Sequence, residues 1–167
     1  MKVIFLDVDG VLIAFGPQAS SIGSFDPDCM SALKEIVEKT GAKIVISSSW
    51  RESKVDLALL MHKLNEIGIS EDDVIDMTPE LHSINGEMWD DDKGKFVGGD
   101  GWTGGRGHEI ETWLLANLTN VDKFVILDDD PTAKQRKDWQ HGMFVNTDFN
   151  TGLSSEEADK TIKFLKG

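Results

Sequence analysis

The chain has 167 residues, of which 40% are hydrophobic, and a formal net charge of −13 at pH 7. This length suits one domain with a sizeable core, and the acidic balance opposes non-specific binding to nucleic acid or to an anionic membrane. Cys29 is the single cysteine, which excludes an internal disulfide and favours a reducing compartment. No long apolar run follows the first residue, so we predict neither a signal peptide nor a membrane span there and expect a cytoplasmic protein.

The first predicted strand ends in two carboxylates. Residues 2–6 are apolar after Lys2, and Asp7, Asp9 and Gly10 follow. Side chains alternate along a strand, so Asp7 and Asp9 share a face, and Gly10 permits the turn. Two carboxylates this close repel each other unless a cation lies between them, and oxygen ligands favour a hard divalent ion. Asp7 and Asp9 are therefore candidate reactive groups and metal ligands.

The second predicted strand, residues 43–48, runs into three consecutive serines. Ser49 with Glu52 three residues later is typical of a capping box, which predicts a helix N-terminus with free N–H groups directed at an anion. Hydroxyl donors at such a junction suit a phosphate. We expect Ser48 to touch it, and Ser47 is the alternative because the strand register can slip by one residue.

Strand and helix patterns alternate along the rest of the chain, which predicts a parallel α/β sheet. Start signals such as Asp26-Pro27 and the pair Ser154 and Glu157 mark helices. Further strands are predicted at 74–77, 123–127 and 143–146, and further helices around Leu57 to Leu64 and around Ile110 to Leu114. Neither a linker nor an internal repeat interrupts the pattern, so a single domain over residues 1–167 is predicted.

An insert at about residues 80–106 breaks this alternation and is rich in glycine and tryptophan. Connections this long tend to be functional or disordered, and one or two short hairpins near the mouth of a site would suit it. Trp89 and Trp102 fit two interpretations equally well: stacking on a nucleobase, or fixing the insert to the domain. His108, just after the insert, is a further candidate for contact with phosphate.

A second acidic cluster follows another strand far along the chain. Asp128 and Asp129 come directly after the apolar residues 124–127. Either acidic cluster alone is more often a helix cap than a functional site. Two clusters at the ends of two buried-type strands favour a shared site instead, because the carboxyl ends of parallel strands lie at one edge of the sheet.

These residues together resemble the motifs of the haloacid dehalogenase-like (HAD) phosphotransferase superfamily. Asp7-Val8-Asp9-Gly10-Val11 is similar to motif I, Ser47-Ser48 to motif II, and Asp128-Asp129 to motif IV. Arg106 is the candidate for the basic residue of motif III, where no lysine is present. The resemblance spans residues 1 to 148. It implies a three-layer α/β/α Rossmann-like fold with a parallel sheet of about five strands, and the short spacing between motifs I and II leaves no room for a large cap.

The resemblance also implies a role for each residue. Asp7 is the nucleophile that forms an aspartyl phosphate, and Asp9 is the general acid and base. Mg²⁺ is held by Asp7, the main-chain carbonyl of Asp9, and Asp128 or Asp129. Ser47 or Ser48, with Arg106, binds the substrate phosphate.

An open site without a cap suits a bulky or terminal phosphate. The Ser-Ser-Ser-Trp-Arg stretch is similar to HAD modules of RNA-repair proteins, and Asp-Asp-Asp-Pro is similar to polynucleotide phosphatases. A nucleotide or a nucleic-acid end is therefore the expected substrate, and the acidic chain favours a nucleotide or a short end. Three alternatives stay open: a small-metabolite or sugar phosphatase, a phosphotransferase with another acceptor, and a regulatory module that binds phosphate without turnover.

Overall fold

The computed structural model describes residues 1–19, 22–81, 88–90, 95–97, 105–134 and 139–167, with the backbone alone for 88–90 and 95–97. The strands are β1 (Lys2–Leu6), β2 (Lys43–Ile46), β3 (Val74–Met77), β4 (Met88–Asp90), β5 (Lys95–Val97), β6 (Lys123–Asp128) and β7 (Gly142–Asn146). The helices are α1 (Pro27–Thr40), α2 (Lys54–Glu66), α3 (Arg106–Asn117) and α4 (Ser155–Lys166). Single 3₁₀ turns cover Ser49–Glu52 and Pro131–Ala133. None of the described helices is long and apolar enough to span a membrane.

Five strands form one parallel sheet in the order β3-β2-β1-β6-β7. The two central strands, β1 and β6, consist almost entirely of buried apolar residues, as expected for a parallel sheet that is covered on both faces. This confirms the predicted α/β fold and its five-stranded sheet.

Two apolar clusters cover the two faces of the sheet. Ile4 and Leu6 of β1 pack with buried residues of α1, α2 and α4. Val3 and Phe5 point to the opposite face and pack with Ile110 and its neighbours on α3. Alternate side chains of β1 thus contact the helices on opposite faces of the sheet. The three-layer α/β/α arrangement is confirmed.

Two of the helix starts are confirmed at the residue that the sequence indicated. Asp26 caps α1 and accepts hydrogen bonds from the N–H groups of Asp28 and Cys29. Ser154 and Glu157 form a capping box at α4.

The prediction of a capping box at Ser49 and Glu52 was wrong. Ser48 instead caps the 3₁₀ turn Ser49–Glu52, and Ser53 caps α2. Several serines in succession offer competing caps, and the Ser48 hydroxyl, which accepts a hydrogen bond from the Trp50 N–H, selects the earlier turn. The long helix begins at Lys54, four residues after the start that a cap at Ser49 predicts.

The insert contains an antiparallel pair formed by β4 and β5, in which Trp89 is opposite Phe96. The expectation of a short hairpin there is confirmed. Trp102 and most of the glycine-rich run lie outside the described residues, as does the side chain of Trp89. The two interpretations of these tryptophans therefore stay predictions, as does the single domain over residues 1–167.

Candidate active site

The ends of β1 and β6 bring two of the predicted carboxylates together. These strands are parallel neighbours with Leu6 paired to Leu127, so Asp7 and Asp128 follow side by side at the carboxyl edge of the sheet. The Asp7 N–H donates to the Leu127 carbonyl at 3.0 Å and extends the ladder by one residue. Both side chains point to the face of the sheet that α3 covers, as Phe5 and Ile126 do two residues earlier.

Asp129 completes a group of three carboxylates. One oxygen from each of Asp7, Asp128 and Asp129 lies within 4.8 Å of the others, and the first two residues are buried. Gly10 makes room for this group: its φ is +75°, and a Cβ there would lie 2.5 Å from the Asp129 Cγ. The turn after motif I can approach Asp129 this closely only because residue 10 is glycine.

The first residue of α3 supplies a cation to the group. The Arg106 Nη1 lies 2.7 Å from an oxygen of Asp7 and 2.7 Å from an oxygen of Asp128. Gly107 lets this helix end approach the loop after β6, since a Cβ there would lie 2.6 Å and 2.7 Å from two main-chain oxygens, those of Lys134 and Thr132. Arg106 therefore reaches the carboxylates from the helical layer that covers this face of the sheet.

Burial and mutual repulsion dominate the electrostatics of the site. Burial raises the pKa of Asp7 although Arg106 opposes the change. Burial, together with the charge of Asp7, raises the pKa of Asp128 to about 7, and the same two causes raise the pKa of Asp129. Burial alone would lower the pKa of Arg106, but the two carboxylates outweigh it and raise that pKa further. One arginine thus fails to neutralise three carboxylates, and the site favours a further cation.

Ser47 and Ser48 both lie beside Asp7, but their hydroxyls differ in hydrogen bonding. The Ser48 hydroxyl hydrogen-bonds to the Asp7 carboxylate. The Ser47 hydroxyl is buried and has no hydrogen-bond partner among the described residues. A buried hydroxyl without a partner is costly, and a bound phosphate would satisfy it. The structure therefore brings both predicted serines to the site without selecting one as the phosphate ligand.

Asp9 lies outside the carboxylate group. Its side chain is half-buried and accepts a hydrogen bond of 3.1 Å from the Trp50 indole Nε1. Sequence reasoning missed this partner, since no local pattern joins residues so far apart in the chain. Metal binding through the Asp9 main-chain carbonyl stays a prediction.

The last residue of β7 and the residue after it fix the loops that carry the acids. The Asn146 side-chain amide donates to the Asp129 carbonyl at 2.9 Å, and the Thr147 hydroxyl donates to the Gly10 carbonyl at 2.7 Å. No local sequence pattern predicts either contact. They hold the motif I turn and the motif IV loop against each other.

The remaining candidates are not part of the carboxylate group. Cys29 is buried, and its Sγ contacts the Thr151 carbonyl at 3.5 Å. His108 is half-buried on the first turn of α3, and its contact with phosphate stays a prediction.

The donor set fits a hard divalent cation. Three carboxylates converge, two of them buried, with an arginine as their one cationic partner among the described residues. Carboxylate oxygens without nitrogen or sulfur ligands are the set that Mg²⁺ prefers.

A parallel α/β sheet with acids after β1 and β6, a serine-rich turn after β2 and a basic residue at the start of α3 is consistent with a domain of the HAD type. Residues 3–158 match the family described as the HAD domain in Swiss Army Knife RNA repair proteins. The chain therefore belongs to this family, which supports a hydrolase of the phosphatase type. No curated protein matches the chain.

Proposed function

We propose that the protein is a Mg²⁺-dependent phosphomonoesterase that acts through an aspartyl phosphate on Asp7. One observation carries this proposal: Asp7 lies at the end of a rigid central strand, where Ser48 and Arg106 contact its carboxylate and two further acids adjoin it. A nucleophile, its orienting donors and a cation site are thus present together.

Asp7, Asp128 and Asp129, with the Asp9 main-chain carbonyl, would hold Mg²⁺. When bound, the ion supplies positive charge between the anionic carboxylate and the anionic phosphate and offsets their repulsion. Arg106 and the serine hydroxyls then orient the phosphoryl oxygens.

The chain's own residues account for both halves of the reaction. An Asp7 oxygen forms a bond to phosphorus while the bond to the leaving oxygen breaks, and the Asp9 carboxyl donates its proton to that oxygen. Asp9 then takes a proton from water as the water oxygen attacks phosphorus. The bond to Asp7 breaks with its electron pair returning to the carboxylate, so inorganic phosphate leaves and both acids are restored.

The proposed substrate is a nucleotide or the terminal phosphate of a nucleic acid. The family description supports this choice, since it places related domains in RNA repair proteins. The net charge of −13 disfavours long polynucleotides held by their backbones and favours a nucleotide or a short end.

Phosphate release tests the proposal. The substrates are an aryl phosphate, a panel of nucleotides and short oligonucleotides with a 5′ or 3′ phosphate, each with Mg²⁺ and with a chelator. We expect metal-dependent release that Asp7→Asn abolishes. Asp159→Asn makes the same chemical change on the exposed side of α4 and should retain full release.

The same assay separates the alternatives. Release that is equal in the Asp7→Asn variant would refute the aspartyl-phosphate mechanism. Faster turnover of a sugar phosphate than of any nucleotide would favour the metabolite phosphatase, and release that depends on an added alcohol would favour the phosphotransferase. Phosphate binding without any release would favour the regulatory module.

A further inference from the structure

Trp50 is the side chain that fixes the orientation of Asp9. It lies in the 3₁₀ turn Ser49–Glu52, and its indole Nε1 donates to the Asp9 Oδ2 at 3.1 Å. Phe25 packs edge-on against the indole with ring centroids 5.5 Å apart and planes at 78°. The ring is thus held at its backbone by the turn and at its side by Phe25.

This contact distinguishes the two oxygens of Asp9. An indole N–H only donates, so Oδ2 accepts from it, and Oδ1 is the oxygen that this contact leaves for a substrate. A half-buried carboxylate at a turn would otherwise rotate among several orientations, and proton transfer requires a defined one.

We propose that Trp50 is a positioning residue that directs Oδ1 of Asp9 towards the leaving-group oxygen, and so adapts the site to phosphate esters of ordinary alcohols. The inference rests on the proposed function and deepens it. Alcohols such as a ribose hydroxyl are poor leaving groups and need a proton as the bond to phosphorus breaks. Nitrophenol leaves readily as its anion and needs little help. Loss of the indole N–H should therefore harm the two substrate classes unequally.

Trp50→Phe tests this by removing the N–H and retaining an aromatic ring. The value of kcat/KM is measured for aryl phosphates of graded phenol acidity and for an alkyl phosphate, because it reports the step in which the leaving group departs. We expect a loss of about tenfold or more for the alkyl phosphate and of less than about threefold for p-nitrophenyl phosphate.

Trp113→Phe is the matched control. Its indole Nε1 also donates to an aspartate, Asp76, at 2.7 Å, but that aspartate is neither in the carboxylate group nor in contact with Asp9 through this bond. This variant should lose some stability and keep the wild-type dependence on the leaving group. Phe25→Leu removes only the ring that supports the indole, so it should steepen the dependence of kcat/KM on the leaving group by a smaller amount than Trp50→Phe. It provides a second test if Trp50→Phe folds poorly.

Two results would overturn the inference. An equal loss for every leaving group in Trp50→Phe would assign the indole a purely structural role. If Trp113→Phe steepened the dependence of kcat/KM on the leaving group equally, the cause would be a general loosening of the fold. A wild-type protein without any release that depends on Asp7 would instead refute the proposed function, and the inference with it.

Discussion

Arg51, in the turn after β2, and Glu109, on α3, form a salt bridge of 2.8 Å whose side chains are only 5% and 11% exposed. The Arg51 Nη1 also donates to the Ser48 carbonyl at 2.6 Å. The other Glu109 oxygen accepts from the N–H of Leu81, just before the insert, at 3.3 Å. This pair therefore sets the position of the serine turn relative to the helix that carries Arg106.

Breaking this pair should cost both stability and activity. Arg51→Met leaves the Glu109 charge buried and unpaired, and such a loss typically costs about 3–5 kcal/mol of the free energy of unfolding. Since α3 also carries Arg106, we expect kcat/KM for phosphate release to fall as well. Urea unfolding followed by circular dichroism measures the first effect, and the release assay measures the second.

A double variant separates the pair from its members. Replacing both Arg51 and Glu109 by Met removes the unpaired charge and should cost less than the sum of the two single changes. Lys160→Ala breaks the exposed pair with Glu156 on α4 and should change the free energy of unfolding far less than Arg51→Met does, because solvent screens exposed charges. Strict additivity at Arg51 and Glu109 would contradict this account.

Replacement by alanine should impair the site more at Gly10 than at Gly41, a glycine with a similar backbone conformation. Gly10 and Gly41 have φ of +75° and +64°, so alanine strains both by roughly 1–2 kcal/mol. At Gly41 a Cβ meets nothing within 4 Å, whereas at Gly10 it would clash with Asp129. Gly10→Ala should therefore lose phosphate release and Mg²⁺ binding, measured by calorimetric titration, while Gly41→Ala retains both. Full activity in Gly10→Ala would show that Asp129 can move without consequence.

The sequence predicted those parts of the site that follow from strand ends. Apolar residues precede Asp7 and Asp128, and a parallel sheet places such ends together, so the two acids could be paired in advance. The pairing of the acids needed only local composition and one rule of topology. Arg106 was a candidate through the resemblance to motif III, which has a basic residue near the start of a later helix.

Contacts between distant side chains escaped prediction. The Trp50–Asp9 hydrogen bond joins residues 41 apart and the Arg51–Glu109 pair joins residues 58 apart, so neither leaves a periodic signal. The misplaced helix start had another cause. Ser48, Ser49 and Ser53 all suit a cap, and composition does not show that the hydroxyls of Ser48 and Ser53 are the ones that accept the local N–H bonds.

The stability of the metal-free protein should fall as pH rises towards neutrality. The pKa of Asp128 is about 7 in the folded protein and 3.8 ordinarily. Between these values the folded state binds more protons than the unfolded chain, so the free energy of unfolding decreases with pH. Asp128 contributes no pH dependence below or above that window. Thermal unfolding in chelator across the window measures the slope.

Asp128→Asn provides the comparison for this slope. The amide does not titrate, so the variant should show a shallower decrease in stability and exceed the wild type near pH 7 in chelator. Added Mg²⁺ should raise the wild-type unfolding midpoint near pH 7 and above, and less at pH 5, where protons compete for the carboxylates. Asp159→Asn should follow the wild type throughout. Identical slopes in wild type and Asp128→Asn would contradict the raised pKa.

Cys29 should be inert towards thiol reagents in the folded protein. Burial, aided by the charge of Asp26, raises the pKa of the thiol to about 12, so almost no thiolate forms at neutral pH. Gly152 adjoins the sulfur so closely that a Cβ there would lie 2.6 Å from it, and Cys29 as a whole is only 1% exposed. Ellman's reagent at pH 8 should therefore modify the native protein only at the rate of unfolding, and rapidly in guanidinium chloride.

An exposed thiol on the same helix tests whether burial is the cause. Ser31→Cys in a Cys29→Ala background places a sulfur on the solvent side of α1 and should react at once in the native state. Rapid, stoichiometric modification of Cys29 in the folded wild type would overturn the prediction. Since residue 31 is exposed on α1 and is not part of the carboxylate group, alkylation of the introduced thiol should leave phosphate release unchanged, as expected where Asp7 rather than a thiol is the nucleophile.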